Sequence, residues 1–189
     1  MTKPQTPKAI LRDEVRRRRK SLLTGSSDVR ASAVAINAIQ LLREFAITSG
    51  PVAAFVSLPD EPPTDVLLSG LADLGYPVWL PRVVDSTTVE WVAYDGYLEQ
   101  DLLGIPAPAG SPLQLSAAKA IFIPAVAASV DGRRLGRGAG YYDRAFAGLP
   151  RFEDGGPLRI AVVDQCGALP AELIPMDEHD AWVDAILVG

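Results

Sequence analysis

The sequence predicts a single-domain α/β protein in which helices flank a mostly parallel sheet, three layers in all. Three observations predict it. Segments with helical spacing alternate with short apolar runs of strand length, the order that builds a sheet covered on both faces. The run at 52–58, VAAFVSL, is almost continuously apolar, as a strand buried on both faces requires. The chain has 189 residues, 48% of them hydrophobic and 22% charged, enough for one soluble domain with its own core.

Taken in order, residues 1–6 are expected to be a flexible tail and 7–189 the domain. Residues 7–23 place Leu11, Val15 and Leu22 at helical spacing on an inner face, with Lys8, Arg12, Arg16 and Arg19 on another side. The basic run Arg16 to Lys20 reads as a solvated helix face, with Lys8 and Arg12 the two cations that reach an anion site. Ser26, Ser27 and Asp28 form a capping cluster for a second helix, whose apolar face is Val29, Ala33, Ile36, Ile39 and Leu42. Gly50 and Pro51 end that unit.

The strand at 52–58 runs into Pro59, Asp60, Glu61, Pro62, Pro63 and Thr64, a polar loop at the carboxyl end of a strand, where open α/β sheets bind ligands. Thr64 or Asp65 caps a helix through Leu74, with Gly75 just beyond it. Two strands follow at 77–81 and 88–94, the second patterned as an edge strand. Residues 95–115 read as a proline-rich loop with one helical turn near Leu98. The run 120–124 feeds a glycine-rich turn and a helix at 141–149, and the last strands are at 158–163 and 183–188.

The glycine-rich stretch, RRLGRGAGYYDR at 133–144, carries the chemistry. Gly136, Gly138 and Gly140 alternate with Leu135, Arg137 and Ala139, so the backbone can approach a ligand closely and aim N–H groups at it. Arg134 and Arg137 add planar forks suited to phosphate. Asp143, in the first turn of the helix, is placed to hold a cation beside that anion, and Tyr141 and Tyr142 offer flat faces to a ring. The pattern is a phosphate cradle with a metal ligand, and it matches neither a P-loop nor a dinucleotide fingerprint.

Composition narrows the classes further. The net charge of −5 argues against a nucleic-acid footprint. The single cysteine, Cys166, cannot form an intrachain disulfide and suits a reducing compartment. No run reaches signal-peptide or membrane-spanning length, so a cytoplasmic protein with no membrane partner is expected. His179, Ser129 and Cys166 show no activating partner, and no nucleophilic triad is indicated. Trp79, Trp91 and Trp182 read as core or pocket wall.

Four landmarks in order then resemble the 5-formyltetrahydrofolate cyclo-ligase family, also called methenyltetrahydrofolate synthetases. They are Lys8 to Arg12, the segment 57–64 with Glu61, the stretch Arg134 to Arg144, and His179-Asp180 with Val183-Asp184. The resemblance implies a sheet similar to that of sugar-phosphate isomerases and CoA transferases, acting as a monomer. It implies ATP- and Mg²⁺-dependent closure of 5-formyltetrahydrofolate to 5,10-methenyltetrahydrofolate, with ADP and phosphate released. Phosphoryl transfer to the formyl oxygen converts a poor leaving group into phosphate, which departs after N10 attacks the carbon. The protein's part is alignment and charge neutralisation.

By the same resemblance, the ATP ligands are Lys8, Arg12, Arg134, Leu135, Gly136, Arg137, Gly138, Ala139, Gly140, Tyr141 and Tyr142. The folate contacts are Val56, Glu61 and the stretch Arg137, Gly138, Ala139, Gly140 and Tyr141. Asp143 and Asp180 are the magnesium ligands, and Arg137 and Tyr141 act in the chemistry itself. Ala128 and Ser129 depart from the family pattern, which has an apolar aromatic and an aspartate there; Asp131 is the nearest substitute carboxylate. Two other readings remain open at this point: a catalytically silent folate or ATP binder, and an isomerase or transferase on a similar sheet that needs neither ATP nor Mg²⁺.

Overall fold

On the strand Ala120–Pro124, Ala120 and Phe122 face one core while Ile121 and Ile123 face another. That two-residue alternation is the pleat of a strand, and the sheet built on it separates two apolar layers. The computed structural model describes residues 5–22 and 27–189, the side chain of Leu22 excepted. Part of the expected tail, Ser26 of the expected cap and Leu22's place on the inner face therefore lie outside the described residues.

In chain order, α1 (Pro7–Leu22) and α2 (Ser27–Glu44) precede β1 (Val52–Ala53), and α3 (Asp65–Asp73) leads to β2 (Val78–Val83) and β3 (Val89–Ala93). The short strands β4 (Glu99–Gln100) and β5 (Pro106–Ala107) come before β6 (Ala120–Pro124). A second short pair, β7 (Ala127–Ala128) and β8 (Arg134–Leu135), precedes α4 (Tyr141–Phe146), and β9 (Leu158–Val163) and β10 (Ala185–Val188) complete the chain. The main sheet has six strands in the order β10-β9-β6-β1-β2-β3. Every pair in it is parallel except β2 with β3, so the expected edge strand is the one antiparallel member.

Helices α2 and α3 cover one face with a core that includes Leu42, Leu67, Leu71 and Phe122. The other face is closed by Phe146 of α4, Leu115, Trp91 and Val183. Helix α1 stands apart and packs Val15 and Leu11 on Val126, Leu135 and Ile174, above the carboxyl ends of the strands. This small third core brings the N-terminal cations to the ligand side of the sheet.

Several expectations are corrected. The first strand is shorter than 52–58. After Ala54, which still donates to the Trp79 carbonyl, side chains replace the ladder. Thr64 Oγ1 donates to the Phe55 carbonyl at 2.7 Å and accepts from Ser57 N at 3.0 Å, while Thr64 N donates to Ser57 Oγ. The buried face of α2 is Ala31, Val34, Ala35, Ala38 and Leu42, whereas Val29 and Ile36 are 69% and 66% exposed. Small alanines let α2 lie close against α3 and β10, a preference that a search for the largest apolar residues misses.

Residues 95–115 hold a β4–β5 hairpin in place of a helical turn. Asp101 Oδ1 accepts from Leu103 N and Ile105 N, and its Oδ2 accepts from Val83 N at 3.0 Å, so one carboxylate folds the turn and ties it to β2. The strand 120–124 does not feed the glycine stretch directly; the β7–β8 hairpin intervenes. Helix α4 stops at Phe146, short of 149, and the last strand starts at Ala185. Trp79 and Trp91 are buried as expected, but Trp182 is partly exposed beneath the Arg151 guanidinium.

Candidate active site

The chain leaves β1 for β2 and β3 on one side, and later passes from β6 to β9 and β10 on the other. Connections therefore diverge above the carboxyl ends of β1 and β6, which opens a crevice in a sheet of this kind. A cavity of about 580 Å³ lies there, between the loop after β1, Pro124 at the end of β6, the glycine stretch and α1. Every residue expected at the ATP, folate and metal sites lines this one cavity. Sequence reading missed its apolar wall, Pro81, Val83, Leu103 and Ile105, because that wall comes from the β2 end and the β4–β5 turn.

The cations are paired with the carboxylates. Lys8 Nζ contacts Asp180 Oδ2 and lies 2.7 Å from Asp177 Oδ2. Arg134 Nη2 lies 2.5 Å from Asp143 Oδ1. Arg137 spans two acids, with Nε 2.8 Å from Glu61 Oε1 and Nη2 on Asp60 Oδ1. Arg12 Nε donates to the Gly136 carbonyl at 2.7 Å and so ties α1 to the glycine stretch. Asp60 and Asp177 were not foreseen as members of this set.

The pairings show in the titration of these groups. Burial pulls Lys8 down, but its bonds to Asp177 and Asp180 outweigh that and raise it. Burial pushes Asp180 up, and the Asp177 backbone N–H with Lys8 brings it below the usual carboxylate range. Asp60 is likewise held low: burial raises it, and Arg137 more than offsets this. The Tyr142 hydroxyl is pushed up by burial, so it stays protonated at any physiological pH.

Glycine is required at two points of the stretch. Gly138 has φ +106, and a Cβ there would lie 3.3 Å from the Arg12 guanidinium carbon; Gly140 has φ +71 and precedes the first residue of α4. Helix α4 has only six residues, so its dipole adds little. The positive charges that line the cavity are the side chains of Lys8, Arg12, Arg134 and Arg137.

The two tyrosines are used differently. Tyr142 packs edge-on against Trp91 and Phe146, with Arg134 over its ring. Tyr141 carries Arg144 on its face and donates to the Asp85 carbonyl at 3.2 Å. Arg144 also donates to Thr87 O and Ala139 O, which clasps the glycine stretch to the β2–β3 turn.

Asp143 and Asp180 each commit one oxygen and leave the other without a protein partner among the described residues. Asp143 Oδ1 takes Arg134 and the Ala181 N–H; Asp180 Oδ2 takes Lys8 and the Asp177 N–H. Two hard oxygens on one cavity wall fit a magnesium ion that is completed by phosphate and water. Asp131, the nearest carboxylate to the departure at Ala128 and Ser129, does not line the cavity. It accepts from the buried Ser129 hydroxyl and faces Arg133 within the β7–β8 turn.

The arginine at 19 is also corrected. It was expected on a solvated face, yet only 4% of its surface is exposed. Its Nε pairs with Asp164 and its Nη1 bonds to the Asp60 carbonyl. Helical periodicity had placed it beside Lys8 and Arg12, but nothing local marked it as buried.

Residues 4–189 match the model of the 5-formyltetrahydrofolate cyclo-ligase family. The chain is 29% identical over 147 residues to the mouse protein named 5-formyltetrahydrofolate cyclo-ligase, covering 72% of this chain and 71% of that one. It is 27% identical over 187 residues to the Haemophilus influenzae protein of that name, covering 95% and 96%. The fold superimposes on the 5,10-methenyltetrahydrofolate synthetase of Aquifex aeolicus with a TM-score of 0.73 at 23% identity, over 97% of this chain and 90% of that one. With the glycine stretch, the N-terminal cations and both aspartates gathered on one cavity, and the match running across the whole described fold, the chain belongs to the 5-formyltetrahydrofolate cyclo-ligase family.

Proposed function

We propose that this chain converts 5-formyltetrahydrofolate to 5,10-methenyltetrahydrofolate at the expense of ATP, within the cavity above β1 and β6. The observation that supports it most is convergence. Lys8 and Arg12 come from α1, and Arg134 and Arg137 from a stretch more than a hundred residues later. All four line one cavity with Asp143, Asp180 and Glu61. Four cations against a triphosphate, two aspartates beside it and a carboxylate at the far wall are what phosphoryl transfer to a folate oxygen needs.

In this reading Lys8, Arg12 and Arg134 hold the phosphates with the N–H groups of Leu135, Gly136, Gly138, Ala139 and Gly140. Arg137 neutralises charge on the transferring phosphoryl group, and Tyr141 borders it. Asp143 and Asp180 would hold Mg²⁺, which would supply charge neutralisation to the phosphates. Among the described residues no three His, Cys, Asp or Glu side chains form a ready metal cluster, so the two aspartates would need further ligands from substrate or water. Glu61 accepts hydrogen bonds from the pterin, and Val56 packs beside it. The apolar wall of Pro81, Val83, Leu103 and Ile105 excludes water from the reacting formyl group.

With this reading go one functional domain over 7–189, a monomer, and a cytoplasmic setting where reduced folate and ATP are the small-molecule partners. No helix among the described residues is long and apolar enough to cross a membrane. The experiment mixes protein, 5-formyltetrahydrofolate and Mg-ATP, and follows the ultraviolet absorbance of the methenyl product. A rise that requires both ATP and Mg²⁺ is expected; a rise without ATP, or none at all, overturns the reading.

A further inference from the structure

A cluster of buried charges lies outside the cavity, where α1, α2 and the end of β9 meet. Asp164 follows β9 and is 3% exposed. Its Oδ2 faces Arg19 Nε from α1, and its Oδ1 accepts from Arg30 Nη2 of α2 at 2.6 Å. Arg19 then reaches past this pair and donates from Nη1 to the Asp60 carbonyl. Two guanidiniums share one carboxylate, so the cluster keeps an excess positive charge beside the loop that carries Glu61.

Stability alone does not account for an arginine here. A buried ion pair is often matched or bettered by apolar side chains of similar volume, and α1 already packs through Val15 and Leu11. An apolar side chain cannot hold a backbone carbonyl. The turn at 58–61 is closed internally, with Glu61 N donating to the Leu58 carbonyl and Leu58 N to Glu61 Oε2, each at 2.9 Å. Among the described residues, Arg19 is the side chain from outside the turn that bonds to its backbone. Arg137 grips only the turn's carboxylates, and its side chain is 35% exposed.

We propose that Arg19, held by Asp164, is a positioning residue that fixes the Asp60–Glu61 turn to the N-terminal helix and so sets the affinity of the site for reduced folate. The proposal rests on the functional reading above for the identity of that ligand. When Arg137 turns to phosphate, Arg19 is the contact that keeps Glu61 in place. It also joins the two halves of the site, since Arg12 and Lys8 sit about two and about three turns earlier on the same helix.

The test compares Arg19→Leu, Arg19→Lys and a core control, Val78→Ala, which lies in β2 away from the cavity. In Arg19→Leu the amides of Leu58 and Glu61 are expected to exchange hydrogen about tenfold faster, while those of Ile121 and Ile160 stay within about twofold. The KM for 5-formyltetrahydrofolate rises about tenfold and the KM for ATP stays within about threefold. Arg19→Lys keeps a charge on Asp164 but lacks the fork to reach both partners, so it restores thermal stability without restoring the folate KM. Unchanged exchange at Leu58 and Glu61, or a folate KM that moves no more than in Val78→Ala at matched loss of stability, overturns the proposal. If wild-type protein does not bind 5-formyltetrahydrofolate, the functional reading fails, and the exchange measurement still decides whether Arg19 positions the turn.

Discussion

Arg137 and Glu61 stand 76 positions apart and meet across the cavity through a 2.8 Å bond from Nε to Oε1. Arg137 is expected at both the ATP and the folate sites and Glu61 at the folate site, and each is the other's counter-ion. The same holds for Lys8 with Asp180 and for Arg134 with Asp143. The cavity sets the cations proposed to hold phosphate against the carboxylates proposed to hold metal and pterin. This limits the cost of keeping so many charges in a partly enclosed space, and it makes ligand binding an exchange of partners.

Replacing Arg137 with alanine is expected to lower kcat/KM about 30-fold or more, from loss of a charge-assisted contact worth about 2 kcal/mol. Steady-state assay of the methenyl product checks it. Activity near that of wild type would remove Arg137 from the reacting centre.

Asp143→Asn keeps the size of the side chain and its bond to the Ala181 N–H, but weakens a hard anionic ligand. The expected outcome is lower turnover at ordinary Mg²⁺, partly restored by raising it. A magnesium titration reads this directly, and a curve that overlays wild type argues that Asp143 serves only Arg134.

Glu61→Gln removes the charge while leaving an oxygen for Leu58 N. The KM for the folate is expected to rise about tenfold while the KM for ATP moves less than about threefold. An equal effect on both KM values would instead place Glu61 in charge balance with Arg137 alone.

The β2–β3 turn gives a prediction in pH. Asp85 is held down to about 2, first by the Thr87 backbone N–H and then by the hydroxyls and N–H of Thr87 and Thr88. A depressed carboxylate stabilises the folded state above its unfolded pKa of 3.8 and loses that contribution as pH falls toward 2. The gap in Tm between wild type and Asp85→Ala should therefore narrow between about pH 4 and about pH 2. A gap that stays constant through this window means that Asp85 does not hold the turn as a carboxylate.

The sequence by itself determined the alternating elements, the edge strand, the two-sided strands and the glycine stretch. Strand and helix periods are local properties of neighbouring residues, and so is the need for glycine where φ is positive at Gly138 and Gly140. Every residue it singled out for the site lines one cavity. Only the tertiary structure decided which charges pair with which. The bonds of Lys8 to Asp180, Arg12 to Gly136 and Arg30 to Asp164 join residues 172, 124 and 134 positions apart. The same long-range packing decided that α2 buries alanines and leaves Val29 and Ile36 outside, that Thr64 ends β1 early, and that Arg19 is buried while Arg17 and Arg18 beside it are exposed. Helical period fixes which residues share a face, but the surface a face meets is set by the sheet and the loop that arrive from elsewhere in the chain.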